Sequence, residues 1–154
     1  MLGPGATATH LTYSTRRARP TIGPERTIEG IMITGMANLA VKVADMNAAV
    51  AFYEGAGAVV RDRMLWNGTE RADVLLGPVT ITLFTRAIYE DAEPVGTEGF
   101  LHPALFTDDL DREVQGHDVF WGPRVVQGPF GKRRIAFVHA PGGLRLEFME
   151  QLAD

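Results

Sequence analysis

Four polar residues stand in two pairs at nearly one spacing: Asn38 and His102 are 64 residues apart, and Thr82 and Glu147 are 65 apart. Asn38 opens the run NLAVKVAD and His102 opens HPALFTDD, and each run closes on an aspartate, Asp45 or Asp109. Thr82 lies in VTITLF and Glu147 in LRLEFM. A carboxamide, a hydroxyl, an imidazole and a carboxylate on a repeated frame place ligand-holding chemistry where two copies of a module face each other.

Strand parity says how they are brought there. In VTITLF, Val79, Ile81 and Leu83 share one face, and Thr80, Thr82 and Phe84 the other; in LRLEFM, Leu144, Leu146 and Phe148 oppose Arg145, Glu147 and Met149. The aliphatic faces are expected to carry helices. The opposite faces, with Asn38, Thr82, His102 and Glu147, then form one concave surface. Buried polar groups need partners, so that surface is expected to be wet or liganded.

The elements follow in order. Asn38 to Val43 reads as a strand, and Asp45 caps a helix to about Glu54 with Met46, Val50 and Phe52 or Tyr53 on its apolar stripe. Gly55 and Gly57 stop it. Val59 to Trp66 is a strand, Asn67-Gly68 a two-residue hairpin turn, and strands follow over about 71–76 and 79–85. Residues 88–99, with Pro94, two glycines and the acids Glu90, Asp91, Glu93 and Glu98, read as a solvated crossover. The second copy predicts a strand over 101–107, a short helix from Asp108 or Asp109 to about Gln115, and strands near 124–127, 133–138 and 144–150, the last after the turn Pro141-Gly142-Gly143. The expected fold is α+β: paired βαβββ modules, 36–87 and 100–151, forming a concave mixed-sheet cup with helices outside.

Residues 1–35, rich in Gly, Pro, Thr and Arg, read as an extended arm. They hold four arginines against two glutamates, so the formal charge of −4 divides into +2 for the arm and −6 for the body. An acidic body argues against nucleic acid as partner. The chain of 154 residues, 45% hydrophobic, is long enough for one real core. It has no cysteine, so disulfides and thiolate metal sites are excluded. No apolar run approaches a membrane span, and Arg16-Arg17 is followed by TIGPERTIEG rather than an apolar stretch, so neither membrane insertion nor export is expected, and the cytoplasm is the expected compartment.

The segments ADMNAAVAFYEGAGAVV, GFLHPALFTDDLD and APGGLRLEFMEQ, on paired βαβββ modules over about 36–151, resemble the vicinal oxygen chelate superfamily, which includes glyoxalase I, methylmalonyl-CoA epimerases, extradiol dioxygenases and antibiotic-resistance proteins. The resemblance implies a divalent metal in the cup, zinc, manganese, cobalt or iron, with His102 and Glu147 at two ligand positions of suitable chemistry. The other two positions carry Asn38, where the family usually has His, and Thr82, where it usually has Glu, Gln or His.

The run IAFVHAPGGLRLEFMEQ is similar to the closing segment of methylmalonyl-CoA epimerases through its FVH. The implied activity is epimerisation or isomerisation next to a carbonyl through an enolate, on a methylmalonyl-CoA-like acid or, as with 2-epi-5-epi-valiolone epimerases, a polyhydroxylated ketone. Candidate catalytic residues are Glu147, Asp73 and His139, the last with a structural role before a turn as its rival. Asp73, an acid in ADVLLGP, is either edge-exposed or aimed into the cup, and exposure is expected. Asn38, Thr82 and Arg145 are candidates for holding substrate. The alternative is a metal-free protein that sequesters a small molecule, with Trp66 or Trp121 stacking on it. Either reading implies a homodimer.

Overall fold

The computed structural model describes residues 33–129 and 131–153. The arm reading for residues 1–32, His10 included, lies outside the described residues. β1 (Ile33–Lys42) begins inside the stretch read as arm.

β1 is followed by α1 (Met46–Gly55), β2 (Val59–Trp66), β3 (Thr69–Leu76) and β4 (Val79–Phe84), then by β5 (Gly99–Thr107), α2 (Leu110–Glu113), β6 (Asp118–Gly128), β7 (Gly131–Ala140) and β8 (Leu144–Gln151). Both helices start where a carboxylate satisfies an amide that the first turn leaves unpaired. Asp45 accepts from Ala48 N at 3.0 Å, and Asp109 from Arg112 N at 3.0 Å. α2 is a single turn, shorter than the sequence suggested. Asn67 and Gly68 both take positive φ, 49° and 75°, as a two-residue hairpin turn matched to strand twist requires.

The strands form one mixed eight-stranded sheet in the order β2-β3-β4-β1-β5-β8-β7-β6. Each module is parallel at its centre, β1 with β4 and β5 with β8, and the modules join through antiparallel β1 and β5. The two copies therefore pair within one chain. The sheet curls until its outer strands meet at one end, where the Trp66 indole N–H donates to the Gln127 carbonyl at 2.9 Å.

The predicted parity holds. On one face Met46 and Val50 of α1 pack against Ala72, Val74 and Leu83, and Leu110 of α2 packs against Ala136, Val138 and Phe148. Each fully buried aliphatic side chain there is worth about 1.5–3 kcal/mol. The concave face is less uniformly polar than expected. Tyr89, Leu101, Trp121, Phe137 and Met149 fill part of it, over Ala40 and Ala104.

Two elements differ from the sequence reading. β6 starts six residues earlier than predicted, because two irregularities in its pairing with β7, between Val119 and Trp121 and between Trp121 and Arg124, hide the strand's alternation. At Gly122, with φ 84°, an added Cβ would stand 2.6 Å from the Ile135 carbonyl, so only glycine fits. The crossover at 88–99 is not merely solvated. Tyr89 is fully buried, Glu90 pairs with Lys42, and Glu93 pairs with Arg145 and His139.

Candidate active site

The register shows why the spacings of 64 and 65 matter. Across the β1–β5 seam, Asn38 stands opposite Ala104 and Ala40 opposite His102. On the outer sides of the same strands, Ala40 stands opposite Thr82 and Ala104 opposite Glu147. These contacts exchange under a two-fold relation, so Asn38 and His102 are counterparts, as are Thr82 and Glu147. Small alanines between them let the polar side chains rise from one floor.

On the second module's side, His102 and Glu147 touch. Nε2 of His102 lies 3.1 Å from Glu147 Oε2, and Nδ1 lies 3.0 Å from the Tyr89 hydroxyl. An ionised carboxylate only accepts, so with a neutral imidazole Nε2–H donates to Glu147 and Tyr89 O–H donates to Nδ1. Burial lifts the Tyr89 phenol well above the ordinary tyrosine range, with Arg145 opposing and Glu147, Glu93 and Glu90 adding to it, so the hydroxyl keeps its proton. Phe137 packs edge-on against both the Tyr89 and His102 rings. The Tyr89–His102–Glu147 array is thus held from behind by the crossover, and Glu147 lines the cavity.

On the first module's side, Asp73 is fully buried and turned into the cup, against the exposure expected of it. The sequence setting misleads because the partners come from other positions. Arg71 Nη2 donates to both Asp73 oxygens at 2.9 Å, Arg61 Nη2 donates at 3.0 Å and Thr82 Oγ1 at 2.7 Å. With its oxygens committed to these donors, Asp73 organises the floor. Glu70 lies outside it, paired with Arg63.

The polar residues border an open cavity lined by Asn38, Trp66, Arg71, Thr82, Arg133 and Glu147 among others. Trp121 is buried in the core, whereas Trp66 forms part of the cavity wall. His139 and Arg145 form a separate cluster. His139 Nδ1 lies 2.8 Å from Asp118 Oδ2, its Nε2 meets Glu93, and Arg145 Nε donates to the same Glu93. Both ring nitrogens of His139 are used there, and its ring stacks on Phe120 at 4.4 Å. The residues the sequence did not single out are Tyr89, Arg71 and Arg133. Tyr89 sits in a segment that reads as linker, and the arginines sit on strands without any motif around them.

A resident divalent ion is a poor match for this donor set. The His102–Glu147 separation suits two atoms sharing one ion, whose bonds run about 2.0–2.2 Å. The counterpart positions offer only Asn38, a neutral amide, and Thr82, whose hydroxyl proton is committed to Asp73. Among the described residues, no three His, Cys, Asp or Glu side chains gather around one point. Two guanidinium groups, Arg71 and Arg133, line the cavity that Glu147 faces, and a cation placed there would meet like charge.

An eight-stranded mixed cup built from two βαβββ modules, with its polar residues at the four central strands, defines a class of proteins. Among solved structures, the chain is similar to methylmalonyl-CoA epimerase from Mycobacterium tuberculosis, with a TM-score of 0.63 and 20% identity over 83% of this chain and 95% of that one. It is also similar to a glyoxalase/bleomycin resistance protein/dioxygenase superfamily member from Vibrio splendidus, with a TM-score of 0.55 and 13% identity over 76% and 99% of the two chains. A third, 2,2',3-trihydroxybiphenyl 1,2-dioxygenase from Sphingomonas wittichii, has a TM-score of 0.52 and 19% identity, over 75% of this chain and 42% of that one. The chain has the vicinal oxygen chelate fold. No protein-family model matches it, and no curated protein matches it in sequence. Among the described residues, no helix is long and apolar enough to cross a membrane.

Proposed function

We propose that the chain is an isomerase or epimerase that moves a proton next to a carbonyl group. The observation that carries this reading is the buried Tyr89–His102–Glu147 array at the cavity wall. Glu147 is the base. It takes the proton from the carbon beside the carbonyl, the C–H electron pair moves into the C–C bond and the carbonyl π pair onto oxygen; a proton from water then adds to the carbon from the opposite face as the oxygen pair re-forms the carbonyl, and Glu147 gives its own proton to water, so the carbon is inverted. His102, donating from Nε2, fixes the orientation of Glu147, and Tyr89 fixes the tautomer of His102.

Negative charge that develops on the oxygen is met by the Asn38 carboxamide and by the positive floor of the cup, dipoles and charges that are in place before the reaction begins. No step passes through a metal. The likeness of the fold to methylmalonyl-CoA epimerase supports the reaction class at the level of fold.

The test is solvent exchange. The protein is incubated in D2O with methylmalonyl-CoA and, separately, with polyhydroxylated cyclic ketones, and deuterium incorporation next to the carbonyl is followed by NMR. Exchange that drops about 10²- to 10⁴-fold in Glu147→Gln, with the fold intact by circular dichroism, is the expected result. Exchange that survives the substitution removes Glu147 from the role. Trp66, half-buried in the cavity wall, favours a second reading, a protein that sequesters a flat small molecule. That reading predicts tight binding without exchange.

A further inference from the structure

The crossover between the modules is fastened to both of them, and Tyr89 sits beside the fastenings. Its backbone first closes on itself: the Tyr89 carbonyl accepts from Ala92 N and Glu93 N, both at 2.9 Å, and Glu90 N donates to the Ala87 carbonyl at 3.1 Å. These turns keep Glu90 and Glu93 close to the residue that reaches His102. Glu90 accepts from Lys42 Nζ, at the end of β1, and from Ala87 N at 3.0 Å, which ties the turn to the first module. Glu93 accepts from Arg145 Nε on β8 and meets His139 Nε2 on β7, which ties it to the second.

Neither carboxylate is in a loose surface pair. The side chains of Lys42 and Glu90 are 11% and 20% exposed, and those of Arg145 and Glu93 are 24% and 22% exposed. Pairs sheltered in this way are screened less than fully exposed ones, which often contribute nothing measurable. Phe120 links the two clusters: its ring stacks on His139 at 4.4 Å and meets the Tyr89 ring edge-on at 5.2 Å. The hydroxyl that these contacts support has a directional task, because a hydrogen bond weakens steeply once its angle falls below about 120°. A hydroxyl turned away no longer holds Nδ1 of His102 as an acceptor, and the orientation that His102 gives Glu147 is released with it. A connecting segment left to its own turns is where a fold opens most readily, and ion pairs to two different modules remove that freedom.

We propose that Glu90 and Glu93 are positioning residues for the proton transfer: through Lys42 on one module, and Arg145 and His139 on the other, they aim the Tyr89 hydroxyl at His102 and so set Glu147. The inference rests on the proton-transfer reading and extends it to the crossover. It also returns Arg145 and His139 to the site, as anchors of that segment.

The experiment separates positioning from stability alone. Glu93→Gln and Glu90→Gln are compared with wild type, with Tyr89→Phe, and with each of the two combined with Tyr89→Phe. Glu150→Gln is the control, since it removes from β8 a carboxylate, 18% exposed, that pairs with Arg134 away from the crossover. Two quantities are read: deuterium exchange into methylmalonyl-CoA and the polyhydroxylated cyclic ketones, and the 15N signal of His102 Nδ1, which follows the Tyr89 hydroxyl and needs no turnover. Each crossover variant should lower the exchange rate about 5- to 10-fold, as for one lost hydrogen bond, with KM changed by under about twofold. Each should move the Nδ1 signal toward its position in Tyr89→Phe, and each should add less than about twofold to the effect of Tyr89→Phe itself. Glu150→Gln should leave Nδ1 in place and exchange within about twofold of wild type.

An Nδ1 signal that keeps its wild-type position in either crossover variant overturns the proposal. So does a loss of exchange that multiplies in full with that of Tyr89→Phe, as independent sites would give. A Glu150→Gln that shifts Nδ1 or exchange as far as Glu93→Gln also overturns it, because general loosening would then account for both. If Glu93→Gln does not fold, Glu90→Gln carries the same readouts. Nδ1 moving as expected while wild type exchanges no substrate refutes only the proton-transfer reading. Exchange that falls with Nδ1 unmoved refutes only the positioning role.

Discussion

Asp73→Asn separates a structural carboxylate from a catalytic one. Asp73 is fully buried and accepts four hydrogen bonds from three residues. Asparagine keeps the shape and loses the charge, which takes from Arg71, with a side chain only 10% exposed, the carboxylate it meets through both oxygens. Breaking a buried ion pair from one side costs about 3–5 kcal/mol. Arg61 is 39% exposed and rehydrates, so its share is small, and the asparagine carbonyl still accepts one bond.

The expected loss is therefore about 2–4 kcal/mol, out of the roughly 5–15 that hold a domain together. For a chain of this size that lowers Tm by on the order of 10 °C. Urea unfolding followed by circular dichroism, with unchanged m, measures it. Adding Arg71→Met to Asp73→Asn removes the buried cation along with its carboxylate and should recover about half of the loss. A cost for Asp73→Asn below about 0.5 kcal/mol, or a double variant weaker than the single one, would refute the reasoning. A fully stable Asp73→Asn that had lost deuterium exchange would return Asp73 to the role of base.

Tyr89→Phe keeps the packing against Phe137 but leaves His102 Nδ1 without its donor, which should cost about 1–3 kcal/mol in urea unfolding and lower the exchange rate more than it raises KM. Elemental analysis of protein purified without added metal should find well under one divalent ion per chain, and a chelator should leave exchange unchanged; near-stoichiometric metal lost in both His102→Ala and Glu147→Ala would reverse the reading of the donor set. Hydrogen bonds to Asp118, then to Glu93, raise the pKa of His139, so the stabilisation from its protonated form is complete below about pH 6.5 and is lost as pH rises through the raised folded value. At Glu93, burial works the other way but the bonds from His139 and Arg145 outweigh it and lower the pKa, so its contribution is present above the usual glutamate range and is lost as pH falls through the lowered value. The Tm difference between wild type and His139→Gln should therefore be largest near pH 5–6 and shrink towards pH 9, and a difference independent of pH would show that the cluster is not what titrates.

Much of the frame was legible in the sequence because local chemistry fixes it. Asp45 and Asp109 cap helices, Asn67-Gly68 makes a tight turn, and alternation in VTITLF and LRLEFM sorts aliphatic from polar faces. The spacings of 64 and 65 carried the site's symmetry, which the register of β1 with β4 and β5 then displays. What stayed hidden depends on contacts between distant positions. Asp73 looked exposed because its partners Arg61, Arg71 and Thr82 announce themselves only when β2, β3 and β4 lie side by side. Tyr89 belongs to a Pro- and Gly-containing crossover, and nothing local says that it folds back over His102. The first half of β6 was obscured at Gly122-Pro123, where the chain departs from regular alternation.

The two-fold relation between the modules has a consequence for stereochemistry. The backbone frame treats its halves alike, yet one half carries His102 and Glu147 and the other Asn38, Thr82 and the Asp73 cluster. A frame with equal halves would accept a guest in either of two poses related by half a turn. Unequal decoration removes that degeneracy: a guest with two unlike ends has one pose that satisfies both halves and one that does not. The duplicated sheet thus provides the vessel, and the divergence of its two copies tells the guest which way round to lie.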